Sequence, residues 1–204
     1  MIREPIFTTT PIKELRPTQI TVGLREVENK RQHWREKHGK EAGEFLGAHM
    51  IPVVLGPQER RYVTDHHHLA RALRDEGVKE VATSVIVDLS RLEPDAFWVV
   101  LDNRGLMHPF DKHGKRRGYG DIPTSVDDLI DDPYRSLAGG LRRLGGYAKD
   151  TTPFSEFLWA DFLRRRIDRK TVGKHYERAL DDALKLARGK DADYLPGWCG
   201  PTDD

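Results

Sequence analysis

The run Asp65-His66-His67-His68 sets one carboxylate beside three imidazoles in consecutive positions. A carboxylate can take up a proton, orient an imidazole or hold a hard cation such as Mg2+. Imidazoles give and receive protons near neutral pH and bind metals. The flanking residues say how such a group would be held. Tyr62-Val63 is a short apolar run that reads as a strand. Asp65 then reads as a helix N-cap, with its carboxylate accepting from the N–H groups of the first turn. Leu69, Ala72 and Leu73 recur at helical spacing, and Gly77 closes the helix. The three histidines thus fall in a first turn, where backbone N–H groups and the helix dipole favour an anion.

Three chemistries fit this arrangement. In the first, the turn binds phosphate, with Asp65 as base or Mg2+ ligand and the imidazoles as donors. In the second, the histidines bind a transition metal. Adjacent helical residues diverge by about 100°, so distant ligands such as His108 or His113 would have to join them. In the third, Asp65 only caps, one histidine is buried and two are solvated.

Several stretches resemble a known family. Asp65-His66-His67-His68 is similar to the Asp-Gly-His-His-Arg element of the ParB/sulfiredoxin superfamily, whose helix start contacts nucleotide phosphates. Leu15-Arg16-Pro17-Thr18-Gln19, the segment from Asp132 to Ala138 and the segment from Glu156 to Asp161 resemble its bacterial ParB-like nuclease branch. The resemblance covers most of the chain. It implies binding of ATP or another nucleotide with Mg2+, with DNA as an alternative partner. The closing arginine of the element is absent, since Leu69 follows His68; Arg71 or a later basic loop would supply that charge. Superfamily kinases acting on free serine use a glutamate near the position of Glu26, with Gln19 as a rival for the same place. The single cysteine, Cys199, lies in the tail and not where sulfiredoxin carries one.

The totals narrow the partners. A net charge of +1 with a pI near 7.9 is not that of a dedicated DNA binder, so DNA would need a local basic patch. No long apolar run or signal-like N-terminus is present, and one cysteine fits a reducing compartment, so a cytoplasmic protein is expected.

In chain order, the pattern predicts a strand and loop from Ile6 to Ile20 and a helix carrying Leu24, Val27, Arg31 and Trp34, with Glu26 and Lys30 paired. A helix follows over residues 40–49, then strands over Ile51–Leu55 and 61–64. After the His helix come a strand over 80–89 and a short aromatic helix with Phe97 and Trp98. Residues 104–121 form a basic, Gly-rich loop, either solvated or a lid over a phosphorylated ligand. Ser125 reads as a helix cap, and Asp132-Pro133 as a further helix start. Arg135 and Ser136 in that helix's first turn are candidate anion contacts, with an Asp131 ion pair as the alternative for Arg135. A long helix from Thr152-Pro153 is expected to break at 171–173 and resume to Ala187. The whole predicts an α+β fold, a ParB/sulfiredoxin-like small mixed sheet with helices over 1–102, with a basic loop and helical extension over 103–204.

These readings give one leading function and one rival. The first is a nucleotide-dependent hydrolase or phosphotransferase acting on a small metabolite. Its catalytic residues are Asp65, His67 and Glu26. Its nucleotide contacts are His66, His67, His68, Arg71, Arg135 and Ser136, and Asp65 is its metal ligand. The rival is a DNA-binding or nucleolytic protein using the basic stretches 104–117 and 164–170.

Overall fold

The structure, a computed structural model, describes residues 6–37 and 42–201. The chain divides into two compact units, residues 1–22 with 26–130 and residues 23–25 with 131–204.

The first unit is built on a five-stranded mixed sheet. Its strands are β1 (Ile6–Pro11), β2 (Arg16–Pro17), β4 (Ile51–Leu55), β5 (Arg61–Val63) and β6 (Glu80–Asp88), in the order β1-β6-β4-β5-β2. Between β2 and β4 come a two-residue strand, β3 (Thr21–Val22), and the helices α1 (Leu24–Lys37) and α2 (Ala42–Ala48). β6 pairs parallel with β4 and antiparallel with β1, while β5 pairs antiparallel with β4 and parallel with β2. Strand alternation divides the side chains between two cores. Ile51, Val53 and Val63 join Val27 and Trp34 of α1 and Phe45 of α2. That core also takes Leu69, Ala70, Ala72 and Leu73 of α3 (His67–Asp75). Val54 and Tyr62, facing the other way, pack with Phe97 and Leu101 of α4 (Pro94–Asn103). The expected strand–turn–strand–helix–strand run is therefore β4-β5-α3-β6.

Two local expectations for this unit differ, and one lies partly outside the described residues. Residues 40–41 of the predicted second helix lie outside the described residues, and α2 runs from Ala42 to Ala48. Leu24 is exposed, and the ion pairs of α1 run from Arg31 and Arg35 to Glu28 and Glu76 instead of between Glu26 and Lys30. Residues 104–121, expected to go with the extension, lie in the first unit. The stretch is anchored by a bond from the His108 N–H to the Thr18 carbonyl and by buried Met107 and Ile122. It is also folded on itself. The Asp111 carboxylate accepts from the amides of His113 and Lys115 and from the Arg117 guanidinium. Such internal bonding is that of an ordered turn, not of a solvated tail.

The second unit is helical, apart from its share of β7 (Ile130–Asp131). Its centre is α5 (Pro133–Arg143), buried without interruption from Tyr134 to Leu141. As expected, Asp132 caps it by accepting from the Tyr134 N–H. Ser125, by contrast, caps only one 3-10 turn of the first unit. Around α5 lie α6 (Ser155–Arg164), α7 (Arg169–Lys174) and α8 (Tyr176–Arg188). Gly140 is where α8 approaches closely: a Cβ there would stand 2.5 Å from the Tyr176 hydroxyl. That hydroxyl donates to the Ser136 carbonyl. The expected break at 171–173 falls two residues later, at His175 between α7 and α8, and a further break lies at 165–168. Asp168 accepts from the amides of Lys170 and Thr171 and so starts α7, in which Thr171 to Gly173 are helical. The tail is held by the Trp159 indole donating to the Pro196 carbonyl and by the Ala148 N–H donating to Gly197.

Among the described residues, no helix is long and apolar enough to cross a membrane.

Candidate functional site

The turn between β5 and α3 is short because the sheet delivers it directly. Val63 closes β5 in the core, the Thr64 N–H bonds to the Pro52 carbonyl of β4, and α3 begins three residues later at His67. His66 makes the change of direction with a left-handed φ of 64°. Few non-glycine residues adopt that conformation. It is the position at which the resembling superfamily element carries glycine, and glycine adopts it without steric cost.

Asp65 is not the cap expected from sequence. Helix α3 has no side-chain cap bond, and the Asp65 Oδ1 accepts only from the adjacent His66 N–H, at 2.6 Å. The left-handed His66 intervenes and takes the N-cap position, so the carboxylate stands one residue too early to reach the first turn. Asp65 is exposed as a result, as is His66, while His68 is half-buried. The first intrahelical bond is from the Ala70 N–H to the His66 carbonyl, so the amides of residues 67–69 precede the helical ladder.

His67 differs from its neighbours. Its ring is 4% exposed, and its Nε2 accepts the Thr18 backbone N–H at 3.2 Å. The Thr18 hydroxyl donates to the Val63 carbonyl at 2.7 Å, and the Thr18 carbonyl accepts the His108 N–H. One residue thus links the helix start, the end of β5 and the loop carrying His108. The bond requires a lone pair on Nε2, so the ring is neutral with its proton on Nδ1. His67, a candidate for proton transfer, is thus buried with its Nε2 engaged by the Thr18 backbone.

The other candidates are placed as follows. Arg71, expected at the anion, pairs with Asp75 at 2.9 Å and donates to the carbonyls of Asp127 and Leu129. Those partners fasten α3 to the 3-10 turn over Val126–Asp128. Glu26 is half-buried in the first turn of α1. Gln19, its rival, is buried and donates to the Thr21 carbonyl at 2.8 Å. In the second unit, Arg135 is buried with its guanidinium 3.4 Å from the centre of the Phe157 ring and 3.8 Å from Glu156. Asp131, the ion-pair partner expected for it, accepts the Leu24 N–H instead. Ser136 accepts from the Arg25 N–H, and a Cβ on Gly23 would lie 2.6 Å from that hydroxyl. Both α5 candidates are thus engaged in packing within their own unit.

Among the described residues, four cations of the basic stretches are ion-paired. Arg116 pairs with Asp102, and Arg117 with Asp111. Burial raises the Asp111 carboxyl, but the amides of Lys115 and His113 and the Arg117 guanidinium outweigh it and bring the pKa down to about 2. In the second unit, Arg164 holds Asp132 and Asp161, and Arg165 holds Asp161. For Asp132, burial prevails over the Arg164 charge and raises the carboxyl above its ordinary value.

Among the described residues, no group of three or more His, Cys, Asp or Glu side chains is placed to hold a metal ion. A three-histidine transition-metal centre therefore has no donor set here. Mg2+ makes a lesser demand, because it commonly keeps its waters and takes one or two carboxylates together with substrate phosphates. The exposed Asp65 carboxylate fits that role.

A family profile described as "Putative ParB-like nuclease" matches residues 8–165. Protein Atu1540 from Agrobacterium tumefaciens, known from its crystal structure, is 55% identical over 97% of this chain and 99% of its own, with a TM-score of 0.91. The chromosome-partitioning protein ParB from Caulobacter crescentus, C-terminally truncated and complexed with CTP-gamma-S, is 13% identical over 92% of this chain and 94% of its own, with a TM-score of 0.34. No curated protein matches the chain.

Proposed function

The chain belongs to the ParB-like nuclease family, and from that premise we propose that the Asp65–His68 turn binds nucleotide phosphate in a hydrolase or phosphotransferase acting on a small metabolite. One observation carries the reading. A left-handed residue turns β5 into a nine-residue helix, and beside that helix start Asp65 and His66 are exposed and His68 is half-buried. Backbone N–H groups and the helix dipole favour a phosphate there.

The residues then divide the work. Asp65 is the base: it takes the proton of an attacking water or hydroxyl as that oxygen bonds to phosphorus. The leaving oxygen departs with the electron pair of the broken P–O bond and takes a proton from His68 or from solvent. His66 and His68 donate to phosphate oxygens, and His67 keeps the helix start in place through Thr18. Glu26 is the second carboxylate of the proposal, because the Gln19 amide is committed to Thr21. Mg2+, held by Asp65 with the nucleotide, would neutralise phosphate charge. Calorimetry with ATP, ADP and CTP, with and without Mg2+, tests the reading. Heat that disappears in His66→Ala/His68→Ala supports it, and no heat with any nucleotide removes it.

The family name favours a second reading, DNA binding or cleavage. Lys112 and Lys115 of the loop and Arg169 and Lys170 of the second unit have no ion pair among the described residues and would contact phosphates. Such binding must weaken steeply between low and physiological salt, because phosphate contacts release counterions. A protein that fails to shift duplex DNA even at low salt excludes it.

A further inference from the structure

At the opposite end of β2 and β5 from the histidine turn lies a cleft of about 310 Å³ with no part in the function proposed above. Four cationic side chains line it, Lys13, Arg16, Arg60 and Arg61, against the two carboxylates Glu14 and Glu59. β2 and β5 run parallel, with Arg16 in register with Tyr62, so Arg16 and Arg61 stand together at the sheet edge where both strands begin. The Asp65 turn follows the other end of β5.

Several arginines of the unit that lie beside acids are paired with them. Arg31, Arg35, Arg71, Arg74, Arg116 and Arg117 each hold a carboxylate. Among the described residues, none of the four cleft cations has an ion pair or a side-chain hydrogen bond, although two acids share the cleft with them. The Arg61 Nε is buried and lacks a hydrogen-bond partner. A buried donor left in that state is costly and calls for an acceptor. The wall of the cleft is also strained, since Gln58 and Glu59 carry consecutive left-handed φ values of 62° and 57°. Strain of this kind persists where the surroundings hold it and gathers at ligand sites.

We propose that this cleft is a second anion site, one that takes a small multivalent oxyanion of the phosphate-ester or pyrophosphate class. Four cations against two acids leave an excess of two positive charges, which suits a doubly charged oxyanion. The volume lies at the lower end of the range for small-molecule pockets. Guanidinium forks match the oxygens of such a group bidentately.

The test is calorimetry on the full chain with inorganic pyrophosphate at low salt. Wild-type protein binds, Arg16→Gln/Arg60→Gln weakens binding more than tenfold, and a His66→Ala/His68→Ala background, which removes the phosphate contacts proposed at the turn, keeps a binding event that the arginine changes abolish. The last variant separates this cleft from the histidine turn, so either site can fail alone. Arg60 is exposed, so Arg60→Glu serves as a second variant should the double one fold poorly, and it too should weaken binding. No heat with wild-type protein, unchanged affinity in the arginine variants, or loss confined to the histidine variant overturns the proposal. Binding of duplex DNA through these arginines without any pyrophosphate binding also overturns it.

Discussion

His67 accepts the backbone N–H of Thr18 on its Nε2, at 3.2 Å and out of contact with water. The bond spans 49 positions of sequence and fixes where α3 starts. His67→Leu keeps the bulk but removes the acceptor, leaving a buried N–H unsatisfied. The expected cost is about 1–3 kcal/mol. His68→Ala, at a half-buried position, should change stability by less than half as much and still weaken nucleotide binding. Urea denaturation of the two variants measures the contrast, and equal destabilisation would remove the distinction drawn between these histidines.

The left-handed His66 leads to a second expectation. A non-glycine residue there carries a conformational cost of about 1–2 kcal/mol. Glycine relieves that cost but loses more backbone freedom on folding. His66→Gly should therefore fall between neutral and about 1 kcal/mol more stable. His66→Val, β-branched at positive φ, should lose more than 1 kcal/mol. Melting temperatures of the pair check the ordering. A more stable valine variant would show that residue 66 does not hold this φ in solution.

These two residues also mark what could be read ahead of the structure and what could not. The strands were legible because Ile51 to Leu55 and Glu80 to Asp88 are short apolar or β-branched runs bounded by turn residues, and such runs need a sheet whatever surrounds them. The cap of α5 was legible because Asp132-Pro133 is a local signal. The role of His67 was not, since its partner at Thr18 is distant in sequence and supplies only a backbone N–H, which every residue but proline has. Arg71, Arg116 and Arg117 looked available for phosphate because sequence does not tell which acid lies opposite. The contact of Gly140 with the Tyr176 hydroxyl was not legible either, because α8 reaches it only through the tertiary packing. The cleft cations were missed entirely. Lys13, Arg16, Arg60 and Arg61 converge only when β2 lies beside β5.

Asp111 sets a pH dependence. Its folded pKa of about 2 lies below the ordinary aspartate value of about 3.9. A lowered carboxyl pKa contributes stability that is fully present above the unfolded value. It is lost as pH falls from about 4 through about 2. An aspartate lowered this far contributes at most ~2.6 kcal/mol. With its side chain 14% exposed, a contribution on the order of 1–2 kcal/mol is expected. Asp111→Asn should be less stable by that amount at pH 6 and equal to wild type near pH 2. Parallel stability curves for the two proteins across this range would show that the carboxylate is not what holds the 108–117 loop.

Asp65 separates structure from chemistry, and the absence of a cap bond sharpens the test. Had the carboxylate capped α3, its loss would cost typically ~1 kcal/mol. Its one bond is to the neighbouring His66 N–H at an exposed position, so Asp65→Asn should shift stability by no more than ~0.5 kcal/mol. Asparagine keeps the size and an oxygen acceptor for that N–H. It cannot take up a proton at neutral pH, and it binds Mg2+ less well. If Asp65 is the base, turnover of the nucleotide found by calorimetry should fall by roughly 10²–10⁴-fold, the usual worth of a positioned proton acceptor. Affinity for the Mg2+-free nucleotide should stay close to wild type or rise slightly, because a negative charge near the phosphates is gone. Melting temperature, nucleotide affinity and phosphate release on the same variant read these effects independently. Wild-type turnover in Asp65→Asn would leave the turn as a binding site alone, with the catalytic carboxylate to be sought at Glu26.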